Sequence, residues 1–260
     1  MRLCRYALGG DVGFGVVKGE GQDPAALTVA AIEGHPFAPF GLSGVRHPLA
    51  DVRLLAPVLP SKVVCVGKNY ADHAREMGGE APSSPVIFLK PSTSVIGPGD
   101  PVQHPRDSER VDYEGELAVV IGRLCREVPR ERAADVVLGF TIGNDVTARD
   151  QQQTDGQWAR AKGHDTFCPL GPWVETDVDP ADLLLQTRLD GAVVQSARTS
   201  LMLHDVAELI AFVTSFATLL PGDVLLTGTP AGVGRMVPGQ SVAVTVEGIG
   251  TLTNPVVARV

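Results

Sequence analysis

The chain has 260 residues, with 22 Lys and Arg against 30 Asp and Glu, a formal charge of −8. That length suits one large domain or a domain with an appendage, and an acidic chain without a basic block excludes nucleic acid or an anionic membrane as the expected partner. No apolar run reaches transmembrane length, no secretory leader follows Met1–Arg5, and Cys4, Cys65, Cys125 and Cys168 form no CxxC pair, so the expectation is a reduced, cytoplasmic protein with four free thiols.

Residues 2–8 and 12–17 read as strands around the turn Gly9-Gly10-Asp11. The glycines at 10, 13 and 15 match no nucleotide-loop spacing, and no helix follows them. Residues 34–48, rich in Pro and Gly, read as irregular connection with His35 and His47 at the surface. The prolines at 57 and 60 set a boundary between a small N-terminal β-domain, 1–58, and a larger domain, 59–260.

Lys62–Gly67 reads as a buried strand running into a short helix stopped by Gly78 and Gly79. His73 and Glu76 share one face of that helix. A carboxylate beside an imidazole orients it and raises its basicity, as a general base requires; an ordinary surface ion pair has the same spacing. The Gly- and Pro-rich flank at 78–85 gives the helix the character of a movable lid. Another strand follows, Val86–Lys90, ending in Pro91 and the polar Ser92-Thr93-Ser94.

From Leu117 to Ile121 an apolar, β-branched run marks a buried strand. At its entrance Glu114 and Glu116 point the same way. Such a pair is either an exposed acidic strand end or half of a site for a hard divalent cation bound through oxygen. A third ligand decides between them. Residues 128–137 read as a helix with Pro129 in its first turn, then an apolar strand ends in a polar cluster whose Asp145 offers the third carboxylate. Arg149 and Gln152 follow within two turns, suited to a carboxylate and a carbonyl of a substrate. Lys162 stands in apolar company, where a lysine usually serves a developing oxyanion or has a shifted pKa; the role of His164 beside it stays open, and His104 and His204 read as structural.

Further on, Asp190-Gly191 is a hairpin turn signal, and Asp205 with Glu208 forms a capping-box pattern. Val206, Leu209, Ile210, Val213, Phe216 and Leu220 make a helical stripe for core or dimer packing. The loop Gly228–Gly234 lacks the GK[ST] of a P-loop, so its N–H groups and Thr229 are expected to face a small anion.

Gly67-Lys68-Asn69-Tyr70-Ala71-Asp72-His73, Phe88-Leu89-Lys90-Pro91, Tyr113-Glu114-Gly115-Glu116-Leu117, Asn144-Asp145-Val146-Thr147-Ala148-Arg149-Asp150, Lys162-Gly163-His164-Asp165-Thr166-Phe167 and Leu226-Thr227-Gly228-Thr229-Pro230-Ala231-Gly232-Val233-Gly234 together resemble the motifs of the fumarylacetoacetate hydrolase family, in the same order over about 62–257. The resemblance implies a mainly β fold with a few short helices, a mixed β-sandwich roll with a small N-terminal β-domain. It also implies Mg²⁺ or Mn²⁺ on Glu114, Glu116 and Asp145, a catalytic set of His73, Glu76 and Lys162, substrate contacts from Arg149, Gln152 and Thr229, and a homodimer. The implied substrate is a 2-oxo or 2,4-dioxo acid reacting through its enolate. Hydrolysis of an acylpyruvate-type, fumarylpyruvate-like substrate is the first expectation, because a base on a lid is needed most for activating water. The alternatives are isomerisation of 2-hydroxyhepta-2,4-diene-1,7-dioate and decarboxylation of 5-oxopent-3-ene-1,2,5-tricarboxylate or oxaloacetate. A metal-dependent binding module without chemistry is disfavoured because His73 and Glu76 are both present.

Overall fold

The computed structural model describes residues 1–21, 23–76, 78 and 80–259. The molecule is mainly β with few, short helices. A large mixed sheet runs in the spatial order 41–48, 28–33, 11–18, 2–8, 168–175, 137–144, 115–121, 224–226, 63–67, 86–90. Five further strands, in the order 192–198, 184–189, 241–246, 250–258, 102–104, form a second sheet, and 147–148, 111–113 and 234–236 form a third.

Strand Gly115–Ile121 lies in the middle of the large sheet and is buried at every residue. Its side chains alternate between two cores. Leu117, Val119 and Ile121 pack with Leu185, Val244 and Leu252 of the second sheet and with Leu209, Ile210 and Val213. Ala118 and Val120 face Cys65, Cys168, Leu170 and Leu226 on the other side. A strand covered on both faces reads as an unbroken apolar run, as this one does.

Among the described residues the α-helices are α1 (Ala71–Glu76), α2 (Arg149–Thr154), α3 (Ala159–Gly163) and α4 (Val206–Phe216). In α4, Asp205 caps the N-terminus by accepting from Glu208 N–H at 2.8 Å, while the Glu208 carboxylate turns to His204 Nδ1 at 2.7 Å. The apolar stripe is buried at Leu209, Ile210 and Val213 but leaves Phe216 and Leu220 exposed. The stop of α1 shows Gly78 at φ 74°, whereas Gly79 lies outside the described residues.

Two expectations need correction. Residues 41–48 are a strand paired antiparallel with 28–33, not irregular connection. Its glycines and prolines fit because it is the edge of the sheet, mostly exposed, where one side needs no partner. Residues 130–136 form a 3₁₀ rather than an α-helix, and Pro129 is its N-cap, offering no side-chain acceptor for the first turn.

The N-terminal strands do not form a separate sheet. Arg2 and Leu3 pair with Glu175 and Val174, so the large sheet runs continuously through both parts of the chain. Among the described residues no helix is long and apolar enough to cross a membrane.

All four cysteines are free and buried. Burial pushes the Cys4 and Cys168 thiols up to about 12, so almost no thiolate exists at neutral pH. Thiol titration should therefore find four groups in denaturant without reductant and close to none in the native protein. Rapid reaction of two or more thiols under native conditions would contradict this packing.

Candidate active site

Strand Val111–Tyr113 belongs to the three-stranded sheet and Gly115–Ile121 to the large one, so Glu114 stands where the chain passes between them. Its N–H donates to Asn144 Oδ1 at 2.9 Å, and its carbonyl accepts from Asp145 N–H at 2.9 Å. These bonds fix the end of strand Val137–Asn144, and hence Asp145, beside Glu114. Glycine between the two glutamates is required by the second sheet: a Cβ at Gly115 would lie 2.2 Å from Thr187 Oγ1. Oxygens of Glu114, Glu116 and Asp145 all fall within 4.8 Å of one another, and the three residues are buried.

Three cations answer them. Lys162 Nζ bridges Glu114 Oε2 at 2.9 Å and Asp145 Oδ2 at 2.6 Å. Lys90, wholly buried, donates to Asp145 Oδ1 at 2.5 Å and to the Val146 carbonyl at 3.1 Å. Arg149, at the start of α2, donates to Glu114 Oε1 at 2.6 Å, to Asp112 Oδ2 at 3.0 Å and to Gln152 Oε1 at 2.7 Å. Burial would raise the Glu114 carboxyl, but Lys162, Arg149 and His73 overcome it and hold that group far below the usual range. Glu116 goes the other way. Burial and the charges of Asp145 and Glu114 push it well above its ordinary value, against the Gly228 N–H that donates to it at 2.7 Å.

The donor set fits a hard divalent cation: three buried carboxylates, with neither sulfur nor imidazole in the cluster. The raised Glu116 marks where positive charge is still short. Glu114, Glu116 and Asp145 are the residues that would hold the ion.

Helix α1 stands over this cluster. His73 is buried, its Nδ1 3.2 Å from Glu76 Oε2, and Glu76 is partly exposed. The Glu76 carboxylate in turn accepts the Gly232 N–H at 3.1 and 3.2 Å. A cavity of about 180 Å³ is lined by His73, Glu114, Arg149, Gln152, Lys162 and Thr229, with Val66, Gly67, Lys68, Phe88, Gln153 and Trp158 completing the wall. It holds the volume of about six waters, room for a small acid. A larger groove of about 750 Å³, lined by residues such as Phe140, Met202, Val206 and Ile210, contains none of the three clustered carboxylates. The clustered charges lie at the smaller cavity.

Of the nine residues anticipated for the site, six line one cavity; Asp145 and Glu76 pair with Lys162 and His73, which do, and Glu116 has an oxygen within 4.8 Å of Glu114. Thr229 is engaged structurally: its hydroxyl donates to the Gly115 carbonyl and accepts from Gln195 Nε2, both at 2.9 Å. His164 contacts Gln151 at 2.7 Å. Lys90 and Asp112 were not anticipated. Lys90, like Lys162, is a lysine in apolar company, and Asp112 is an acid between Val111 and Tyr113 in a buried strand.

Residues 62–257 match the model of the fumarylacetoacetate (FAA) hydrolase C-terminal family. The chain belongs to that family. Residues 1–57 match the Rv2993c-like N-terminal family. Over its whole length the chain is 58% identical to protein Rv2993c of Mycobacterium tuberculosis, covering 99% of it. It is 45% identical over 222 residues to the mitochondrial oxaloacetate tautomerase Fahd2a of Rattus norvegicus, covering 81% of this chain and 71% of that protein. A crystal structure of 2-hydroxyhepta-2,4-diene-1,7-dioate isomerase from Mycobacterium marinum superposes with a TM-score of 0.94 at 57% identity, covering 100% of this chain and 99% of that one. This chain is therefore an enzyme of the fumarylacetoacetate hydrolase family.

The shift at Glu116 has a measurable sign. An acid raised by folding binds its proton more tightly in the native state. Metal-free stability then falls as pH rises from the ordinary glutamate value, about 4.3, toward the raised one. Glu116→Gln removes that penalty. At neutral pH the metal-free variant should melt no lower than wild type, while Mg²⁺ or Mn²⁺ should raise the Tm of wild type only. Thermal melts with and without ion decide this, and a variant still stabilised by the ion would contradict the ligand assignment.

Proposed function

We propose that this enzyme uses Mg²⁺ or Mn²⁺ to enolise a 2-oxo acid and moves a proton at its C3, as an isomerase or tautomerase. The observation that carries this reading is the joining, around one small cavity, of the three-carboxylate cluster and Lys162 with the His73–Glu76 pair. The names of the rat and M. marinum relatives support proton transfer as the outcome. When bound, the ion supplies Lewis-acid polarisation of the substrate's carboxylate and 2-oxo group.

The remaining work falls to the chain's own residues. Lys162 places a fixed positive charge beside the developing enolate oxygen, in a buried setting where that charge acts strongly. Arg149, held by Asp112 and Glu114, and Gln152 present donors to the substrate's acid end. His73 takes the C3 proton and returns it at the new position, while Glu76 holds the imidazole in orientation and is itself held by Gly232 N–H. A cavity of this size leaves little water beside the enolate.

Acylpyruvate hydrolysis is the second reading, supported by the same pair. Here His73 takes a proton from water, hydroxide adds to C4, the C3–C4 bond breaks, and the leaving enolate is protonated at C3. Decarboxylation of oxaloacetate uses the same enolate but no attacking water. We also propose a homodimer, on the family resemblance and the exposed Phe216 and Leu220.

A panel of oxaloacetate (tautomerisation and decarboxylation), 2-hydroxyhepta-2,4-diene-1,7-dioate and acylpyruvates, assayed with Mg²⁺ and with EDTA, separates the readings. Chelation should abolish every activity. His73→Ala and Glu76→Gln should lower kcat for isomerisation or hydrolysis by ~10²–10⁴, decarboxylation less, with oxalate still binding. Full turnover in EDTA, or unchanged kcat in both variants, would overturn the mechanism.

A further inference from the structure

Lys68 follows strand Val63–Gly67 with φ 58°, in the left-handed region that glycine adopts freely and L-residues avoid. The chain has a glycine at the position before and a lysine here. An unfavourable backbone conformation retained at the rim of an active site points to a task for the side chain.

The charges in the cavity say what that task is. Lys162 and Arg149 line the cavity and are both paired with carboxylates; Lys90 behind them is paired as well. Lys68 also lines the cavity, and among the described residues no carboxylate pairs with it. In a chain with eight more acids than bases this is a cation held in reserve.

Its place relative to Lys162 follows from a row of contacts. Lys162 Nζ lies 4.8 Å from the Phe88 ring centre. Phe88 meets Trp158 edge-on at 5.4 Å. Trp158 closes against Gly67, where a Cβ would stand 3.1 Å from the indole. An apolar wall thus runs from the carboxylate cluster to the backbone beside Lys68. Such a wall suits a short carbon chain with a polar group at each end.

We propose that Lys68 is the counter-ion for a second, distal carboxylate of the substrate, so that the site selects 2-oxo dicarboxylates over monocarboxylates of equal length. The inference rests on the 2-oxo acid reading above and adds the far end of the substrate to it. Lys68 contacts substrate but takes no part in proton transfer.

The test is titration calorimetry on the Mg²⁺-loaded protein with oxalate, 2-oxoglutarate and 2-oxopentanoate, the last two having the same five-carbon chain with and without the distal carboxylate. Wild type should bind 2-oxoglutarate on the order of tenfold to a hundredfold more tightly than 2-oxopentanoate, the worth of one charge-assisted hydrogen bond. Lys68→Met should bring that ratio close to one, and Lys68→Arg should keep most of it. Lys68→Gly should also lose the ratio yet melt at or above the wild-type temperature, because glycine relieves the left-handed backbone. A wild-type ratio near one, or a ratio that survives in the Met and Gly variants, overturns the Lys68 assignment even when oxalate binds. Oxalate failing to bind wild type in Mg²⁺ would overturn the 2-oxo acid reading, and this inference with it.

Discussion

Three carboxylates buried within a few ångströms of one another set the terms for the rest of this molecule. Taking one such charge out of water costs several kcal/mol unless something nearby offsets it. Lys90, Lys162 and Arg149 are spent on that compensation, from three different elements of the fold. They cover Glu114 and Asp145 and leave Glu116 short. The asymmetry suits the cluster to a further cation, where a closed salt-bridge network would have no charge left to offer.

The scaffold holds this arrangement by crossing two sheets at the point of greatest charge. Gly115 has no side chain because the second sheet passes there, and the space is taken by Thr187 and Val244. Gln195, from the same sheet, accepts the Gly115 N–H and donates to Thr229 and to the Pro230 carbonyl. The loop so fixed supplies Gly228 N–H to Glu116 and Gly232 N–H to Glu76. One loop therefore registers both the cluster and the His73–Glu76 pair, and a displacement there would be felt by both.

Much of this was legible in the sequence because it is written in local patterns. The apolar run after Glu116, the i,i+3 spacing of His73 and Glu76, and the polar cluster after strand 137–144 each announce themselves within a dozen residues. The pairings that make the site work are not local. Lys90 meets Asp145 across 55 positions and Lys162 meets Glu114 across 48. No spacing rule marks them, although a lysine inside an apolar run is a usable hint. The 3₁₀ turn at 130–136 and the edge strand at 41–48 depart from their local patterns for a related reason: helix type and edge position are decided by what the neighbours leave free, which no window of residues contains.

The pairing of Arg2 and Leu3 with Glu175 and Val174 carries a consequence for solubility. Trp173 packs against Cys4, Tyr6, Val17 and Leu27, so the first fifty residues cover both the backbone edge and an aromatic side chain of strand 168–175. Stripped of them, the larger part of the chain would present unpaired donors and acceptors beside an exposed indole, the template from which strands of separate molecules add to one another. The N-terminal strands act as a fender for strand 168–175, moving the open edge of the sheet outward to residues 41–48, where glycines and a proline make a poorer template for a second molecule.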